Sequence, residues 1–330
     1  MLNDINVICD KLMANDSFIL LTHKNPDGDA LGSTAALAQL LIKAGKKVKI
    51  LLPEASAQRL RFILGELDFY TPDNTGESFY SPCIVCLDCA SSSRLGALEE
   101  RFGQRVDISI DHHVSNTPFA KYTYTKSDAS AASEIVYLIA KELVARRIID
   151  KIDIDISFPL YAGIASDTGS FKYSNTSADT LRICADLIET GIDTALISRL
   201  LFDTFSINKL RAESIAVQHL EVFANGKAAV ISIPPALLEK EGLSYEDFDD
   251  VVNLARKIDG VEIGAYVRVS DTGDYKISLR SNDYMDVAGI CAKHNGGGHI
   301  RAAGCNISAT SIGEAVKIIK RDIEENLKNN

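Results

Sequence analysis

In the first half of the chain, short apolar runs alternate with stretches whose apolar residues recur every three or four positions, the pattern of a sheet built from βαβ units. The runs 18–21, 47–51, 84–87 and 106–110 read as strands. Ala36, Leu37, Leu40 and Leu41 recur at helical spacing within 33–43, and Ile135, Leu138, Ile139 and Leu143 predict a buried helical face over 130–147. Helical patterns continue through 158–166, 178–189, 194–201 and 207–220, and strand patterns return at 228–233, 261–269 and 275–279. A last helix is expected over about 311–327. The turn Ala224-Asn225-Gly226 marks the change of pattern. The expected architecture is therefore α/β. A mostly parallel sheet flanked by helices occupies 1–200, a helical connector 201–225, and a smaller α+β domain 226–330. No internal repeat or low-complexity segment interrupts this plan.

A chain of 330 residues is long enough for two cores. No stretch approaches the roughly 20 apolar residues of a membrane span, and the polar start lacks a signal-peptide pattern, so a cytoplasmic chain with no membrane partner is expected. The seven cysteines are spread from Cys9 to Cys305, unlike the disulfide framework of a small secreted domain, and reduced thiols are expected. A net charge of -10 argues against a broad basic surface for long nucleic acid. A small anionic substrate would need local cations or metal ions to overcome that field.

Candidate chemistry begins at Thr22-His23-Lys24-Asn25-Pro26-Asp27-Gly28-Asp29-Ala30-Leu31-Gly32, directly after the first strand. Pro26, Gly28 and Gly32 are expected to keep the segment from being a regular helix and to let it aim His23, Asp27 and Asp29 at a common point. Mixed nitrogen and oxygen donors suit a divalent ion such as manganese. The same residues also suit a turn whose aspartates cap the following helix. Asp88 follows the strand 84–87, Asp111-His112-His113 follows 106–110, and Asp167 lies where a helix gives way to a glycine turn. Ligands of open α/β sheets bind outside the carboxyl ends of the strands, so three strands deliver donors to one edge. Of six histidines, His23, His112 and His113 fall at strand ends, which favours a metal site over isolated caps. The six donors His23, Asp27, Asp29, Asp88, His112 and Asp167 exceed the needs of one ion. They fit two ions roughly 3.5 to 4 Å apart, an arrangement used for in-line displacement at phosphorus, with Asp88 as the bridging carboxylate.

Cys83-x-x-Cys86-x-x-Cys89 matches an iron–sulfur spacing superficially. Strand alternation would place Cys83 and Cys89 on one face and Cys86 on the other, so packing is the expected role. In the C-terminal part, Gly296-Gly297-Gly298-His299-Ile300-Arg301-Ala302-Ala303-Gly304 lets backbone approach an anion and flanks it with cations. Neither Lys-Ser nor Lys-Thr follows, so it is not a Walker loop. Arg280 and Ser281, at the end of the strand 275–279, supply further donors.

Taken in order, His23/Asp27/Asp29, Asp88, Asp111-His112-His113, Asp167 and Gly296 to Gly304 resemble the motifs of the DHH phosphoesterase family with its DHH-associated C-terminal domain. Length and plan resemble the nanoRNase (NrnA-like) branch. The resemblance implies cleavage of very short oligoribonucleotides and removal of the 3'-phosphate from 3'-phosphoadenosine 5'-phosphate, with two divalent ions, manganese first among them, as cofactors. It implies one ion on His23, Asp27 and Asp88 and a second on Asp29, Asp88, His112 and Asp167. His113 would face the scissile phosphate, and Asp111 would orient an imidazole. Arg280, Ser281, Gly296, Gly297, Gly298, His299 and Arg301 would bind substrate. The chain departs from the branch at Ser130-Ala131-Ala132-Ser133-Glu134, where a Ser-Ser-Thr-Gly-Glu type sequence is common, which bears on any substrate contact made there. A homodimer is one oligomeric state compatible with this plan.

Three other readings use the same residues. An inorganic pyrophosphatase or exopolyphosphatase would want a pocket rich in lysine and arginine, where this chain has Gly-Gly-Gly-His. A phosphodiesterase of cyclic dinucleotides or their linear product would share the metal motifs. A catalytically silent nucleotide-binding regulator would not need every metal donor to be present.

Overall fold

The structure, a computed structural model, describes residues 4–54, 58–74, 82–270 and 273–328. The chain divides into two compact units, Met1–Thr204 and Phe205–Asn330. The first opens with helix α1 (Ile5–Met13), strand β1 (Ser17–Leu21), α2 (Gly28–Lys43), β2 (Lys47–Leu51), β3 (Phe69–Tyr70) and β4 (Cys83–Leu87). It continues with α3 (Glu99–Phe102), β5 (Ile108–Asp111), β6 (Tyr122–Thr125), α4 (Ala132–Ala145), α5 (Ile154–Asp167), α6 (Ala178–Ile188) and α7 (Thr194–Ser198). The helix expected to run to 201 ends at Ser198 and passes into a wider turn over Arg199–Asp203.

The six strands lie in the order β3-β2-β1-β4-β5-β6, and every pairing is parallel. The chain runs outward from β1 to β3, then returns to start β4 on the other side of β1. The order therefore reverses between β1 and β4, and a crevice opens there at the carboxyl ends of both strands. Phe18, Leu20, Val85, Leu87, Ile108 and Ile110 pack beneath α2, α4 and α5 in the main core, while Leu21, Ile84 and Cys86 join a smaller cluster with Leu95, Leu98 and Phe102.

Two local expectations change. Gly28 to Gly32 are helical, forming the first turns of α2, because Asp27 caps it: its Oδ1 accepts from the amides of Asp29 and Ala30, both at 3.0 Å. Gly32 is kept small by its neighbour, since a Cβ there would lie 2.5 Å from the Pro159 carbonyl and 2.9 Å from the Gly163 Cα. The cysteine alternation holds for Cys83 and Cys86, which face different cores, and fails at Cys89. Cys86 and Cys89 share the smaller cluster, and Cys83 lies in the main core. Strand β4 ends at Leu87 and Asp88 turns into the left-handed region, φ +53°, so strict alternation stops before Cys89.

The second unit contains α8 (Ile207–Gln218), β7 (Leu220–Phe223), β8 (Ala228–Ser232), α9 (Pro235–Glu241), α10 (Val252–Arg256), β9 (Ile263–Val269) and β10 (Tyr275–Ser281). It closes with α11 (Val287–Ala292), β11 (Gly297–His299), β12 (Ala302–Ile307) and α12 (Ile312–Lys328). Its sheet runs β11-β12-β10-β9-β8-β7, antiparallel except for the β8–β9 pair. Alternate residues face two cores: Val230, Ala265 and Val267 pack with α11 and α12, and Ala229, Ile231 and Tyr266 with α8 and α10. Most of the expected connector 201–225 is thus no separate element. Ala212 and Ala216 of α8 are buried in the second core, and β7 is an edge strand of its sheet.

Candidate metal centre

The expected donors stand at or beside the ends of strands and helices. His23 follows β1 and is buried, with Nδ1 2.7 Å from the Lys24 carbonyl. A carbonyl only accepts, so Nδ1 carries the proton and Nε2 turns toward the crevice. There it faces Asp27 Oδ2 at 3.7 Å and Asp88 Oδ2 at 3.5 Å. His112 repeats the device after β5. Its Nδ1 lies 3.3 Å from the Ala129 carbonyl, and Nε2 faces Asp88 Oδ1 and Asp167 Oδ2, both at 3.4 Å. The two readings of the opening turn are compatible in Asp27, which caps α2 with one oxygen and faces His23 with the other.

Asp88 is the centre of the arrangement. It is 2 % exposed, and its Oδ1 is buried without a hydrogen-bond partner. Nitrogens of His23, His112 and His113 surround the carboxylate at 3.4 to 3.5 Å, beyond good hydrogen-bond length. Among the described residues, three groupings of donor atoms lie close enough to hold a cation: His23/Asp27/Asp88, Asp29/His112/Asp167 and Asp88/His112/His113. An orphaned buried carboxylate oxygen amid imidazole and carboxylate donors fits a divalent ion of the manganese or zinc type.

Asp29 is fully buried and held from across the unit. Its Oδ2 accepts from the Ala132 amide at 2.6 Å, and Oδ1 from the Ser133 amide at 2.9 Å and hydroxyl at 2.5 Å. The altered segment 130–134 therefore faces inward: the first turn of α4 clasps Asp29, and Glu134 accepts from the hydroxyls of Ser130 and Thr180. Gly163 makes room for this clasp, since a Cβ there would strike Ser133 Oγ and lie 2.9 Å from Asp29 Oδ1. Asp167 ends α5, and Asn175 Nδ2 ties its carbonyl to that of Ser130, each at 3.1 Å.

His113 is oriented by a relay. Its Nδ1 donates to Asp111 Oδ1 at 2.8 Å, and Asp111 Oδ2 accepts from Asn116 Nδ2 at 2.6 Å. Asn116 and Asn175 are not among the residues expected at the site, and Ser133 was expected only within the segment 130–134, as bearing on substrate contact. Asn116, five positions after Asp111, was within reach of motif reading, whereas Ser133 is 104 positions from Asp29.

The shifts of the metal-free groups show how closely the charges are packed. Burial raises Asp29 to about 7 and Asp167 to about 8, with neighbouring carboxylates adding to both. Burial would lower His23 and His112, but Asp27 and Asp88 around the first and Asp88 with Asp29 around the second carry both to about 10. Burial likewise disfavours ionised Asp88, yet His112 and His23 hold it below the usual carboxylate range. Asp111 raises His113.

In the second unit the glycine run forms a hairpin. Gly297–His299 pairs with β12, and Ile300 and Arg301 make the tip. Gly298 has φ +146° and no room for a Cβ against the Ala302 carbonyl, while Gly297 is open and His299 exposed. Arg280 is half-buried, with Nη1 3.0 Å from the Leu279 carbonyl. Ser281 differs from expectation. It is buried, and its hydroxyl donates to the Met285 carbonyl at 2.7 Å, which also accepts from Arg301 Nη1 at 2.8 Å.

With this geometry in view, the sequence matches the DHH family, N-terminal domain, over residues 17–164 and the DHHA1 domain over 225–325. A protein of Thermus thermophilus named bifunctional oligoribonuclease and PAP phosphatase NrnA is 30% identical over 93% of this chain and 89% of its own. The chain belongs to the DHH family. A Streptococcus mutans relative named "Probable bifunctional oligoribonuclease and PAP phosphatase NrnA" is 28% identical, covering 97% of this chain and 96% of its own. The solved structure of an exopolyphosphatase-related protein from Bacteroides fragilis superposes with a TM-score of 0.87 at 26% identity, over 97% of this chain and 95% of that one. DHH membership makes the chain a phosphoesterase, and its crevice brings together carboxylates and imidazoles that could hold a metal ion. Among the described residues no helix is long and apolar enough to cross a membrane.

Proposed function

We propose that this chain uses two divalent ions, manganese first among them, to hydrolyse very short oligoribonucleotides and to remove the 3'-phosphate of 3'-phosphoadenosine 5'-phosphate. The observation that carries this reading is Asp88, a buried carboxylate with an orphaned oxygen between two donor groups at the point where the strand order reverses. His23, Asp27 and Asp88 would hold one ion; Asp29, Asp88, His112 and Asp167 would hold the other. Bound there, two ions supply positive charge for phosphoryl oxygens and a nucleophile competent at neutral pH.

The chain's own groups do the positioning. The Lys24 and Ala129 carbonyls fix which imidazole nitrogen of His23 and His112 faces the crevice. Asp111, braced by Asn116, holds His113 so that its Nε2 is left for a phosphoryl oxygen, where a fixed donor stabilises charge developing in the transition state. His299, Arg280 and the backbone of the glycine hairpin contribute substrate contacts. A nucleotide suits this hairpin better than an inorganic polyphosphate, because its glycines and one histidine offer few charges. The two relatives' names support the same substrate class.

The test is a substrate panel with manganese: 3'-phosphoadenosine 5'-phosphate, linear diadenylate, RNA of two to five nucleotides, cyclic dinucleotides and pyrophosphate. Release of phosphate from the first and of nucleoside monophosphates from the short RNAs is expected. Turnover of pyrophosphate alone would overturn the reading.

A further inference from the structure

The loop between β10 and α11, residues 282–286, is fixed by side chains that metal binding does not use, two of them, Glu262 and Ser281, buried. Glu262, 3 % exposed just before β9, turns its carboxylate onto three successive amides. Oε1 accepts from Tyr284 at 2.9 Å and Met285 at 2.8 Å, and both oxygens accept from Asp283, at 3.2 and 3.0 Å. Asn282 donates through Nδ2 to the carbonyls of Arg256 and Val261, each at 2.9 Å. From the other side Ser281 Oγ and Arg301 Nη1 share the Met285 carbonyl, and the Val287 amide donates to the Ile300 carbonyl at 2.9 Å. The loop is thereby tied to the tip of the glycine hairpin.

Successive amides converging in this way form a concavity suited to an anion. Here the protein's own carboxylate fills it, so the loop is not a phosphate site. What it offers to solvent is Tyr284, 53 % exposed, beside a hairpin tip whose Ile300 is 59 % exposed. An aromatic ring carried on a loop whose backbone is already tied can stack with little backbone ordering cost at binding.

We propose that Tyr284 is a specificity-determining residue that stacks on a nucleobase of the substrate, with Ile300 extending the apolar surface and Glu262 acting as the positioning residue that holds the loop. This deepens the nucleotide reading above and rests on it. It assigns recognition of the base to loop 282–286, separately from phosphate chemistry at the metal centre.

The experiment compares full-length wild type, Tyr284→Ala, Tyr284→Phe and Glu262→Gln by calorimetry with AMP and with ribose 5-phosphate, which lacks the base. Steady-state hydrolysis of diadenylate is measured alongside. Wild type should bind AMP more tightly than ribose 5-phosphate, Tyr284→Ala should lose about tenfold in AMP affinity with ribose 5-phosphate unchanged, and Tyr284→Phe should behave as wild type. In hydrolysis the alanine variant should raise KM about tenfold with kcat within about twofold. Glu262→Gln should move the same constants in the same direction by a smaller factor, about threefold. Equal wild-type affinity for the two ligands, or an unchanged AMP affinity in Tyr284→Ala, would overturn the proposal. Base discrimination that depends on Tyr284 in a protein inert on diadenylate would instead refute the assigned reaction and leave the base site standing.

Discussion

Asp88 combines a left-handed backbone, burial and an orphaned oxygen, three conditions that each cost stability and persist where a site requires them. Around it burial and neighbouring charge shift the metal-free groups toward their protonated forms. His23 and His112 stay protonated up to about 10, Asp167 up to about 8 and Asp29 up to about 7. Cations need the deprotonated forms, so every one of these upward shifts sets protons against metal. Manganese affinity should therefore rise steadily from pH 6 to 9, with proton release on binding, measured by calorimetry in buffers of differing ionisation enthalpy. An affinity independent of pH over that range would contradict the assignment of these groups to the ion sites. At this scale the sequence was most informative about residues that stand at strand ends, because a histidine or aspartate following an apolar run is visible in one dimension. Asn116, Ser133 and Asn175 act through folded contacts, and Asn and Ser in loops look alike whether or not they brace a carboxylate. Ser281 shows the converse: next to Arg280 at a strand end it reads as a ligand contact, yet its hydroxyl is spent on Met285.

Among elements, the contact of α2, α4 and α5 decides whether Asp29 can reach the crevice. Asp29 lies in the first turn of α2, its carboxylate is clasped by the first turn of α4, and α5 passes close enough only because residue 163 is glycine. Gly163→Ala would drive a methyl into Ser133 and Asp29. Overpacking of this kind costs about 1–3 kcal/mol, and here the displaced side chain is a proposed ligand. The variant should melt a few degrees lower, and it should lose most of the extra stability that manganese confers on wild type, read from thermal melts with and without the ion. Full manganese stabilisation in a destabilised variant would show that Asp29 is not a ligand. Periodicity predicted most of the long elements of this unit, but α2 begins five residues earlier than the apolar pattern implies. Glycines at 28 and 32 argued for a loop, and only the neighbouring helix explains why small residues belong there.

For the whole molecule, the parallel order was legible as a class and the reversal between β1 and β4 was not, since strand order depends on which crossovers return to the start of the sheet. The second unit was less legible. Its strand β11 is three residues with two glycines and carries no alternating apolar signal, the alternation of Ala303, Cys305 and Ile307 in β12 rests on two small side chains and one isoleucine, and α8 joins its core through two small alanines. Central to the proposed function is the role of Asp88, which two ions would share to supply the phosphoesterase chemistry. Asp88→Asn, close in shape and unable to carry the charge, tests it directly when titrated with manganese and assayed on diadenylate beside wild type. Wild type should bind two equivalents and turn over; the variant, folded by circular dichroism, should bind at most one weakly and lose at least about a thousandfold in kcat. Two equivalents bound with near wild-type turnover in Asp88→Asn would contradict it.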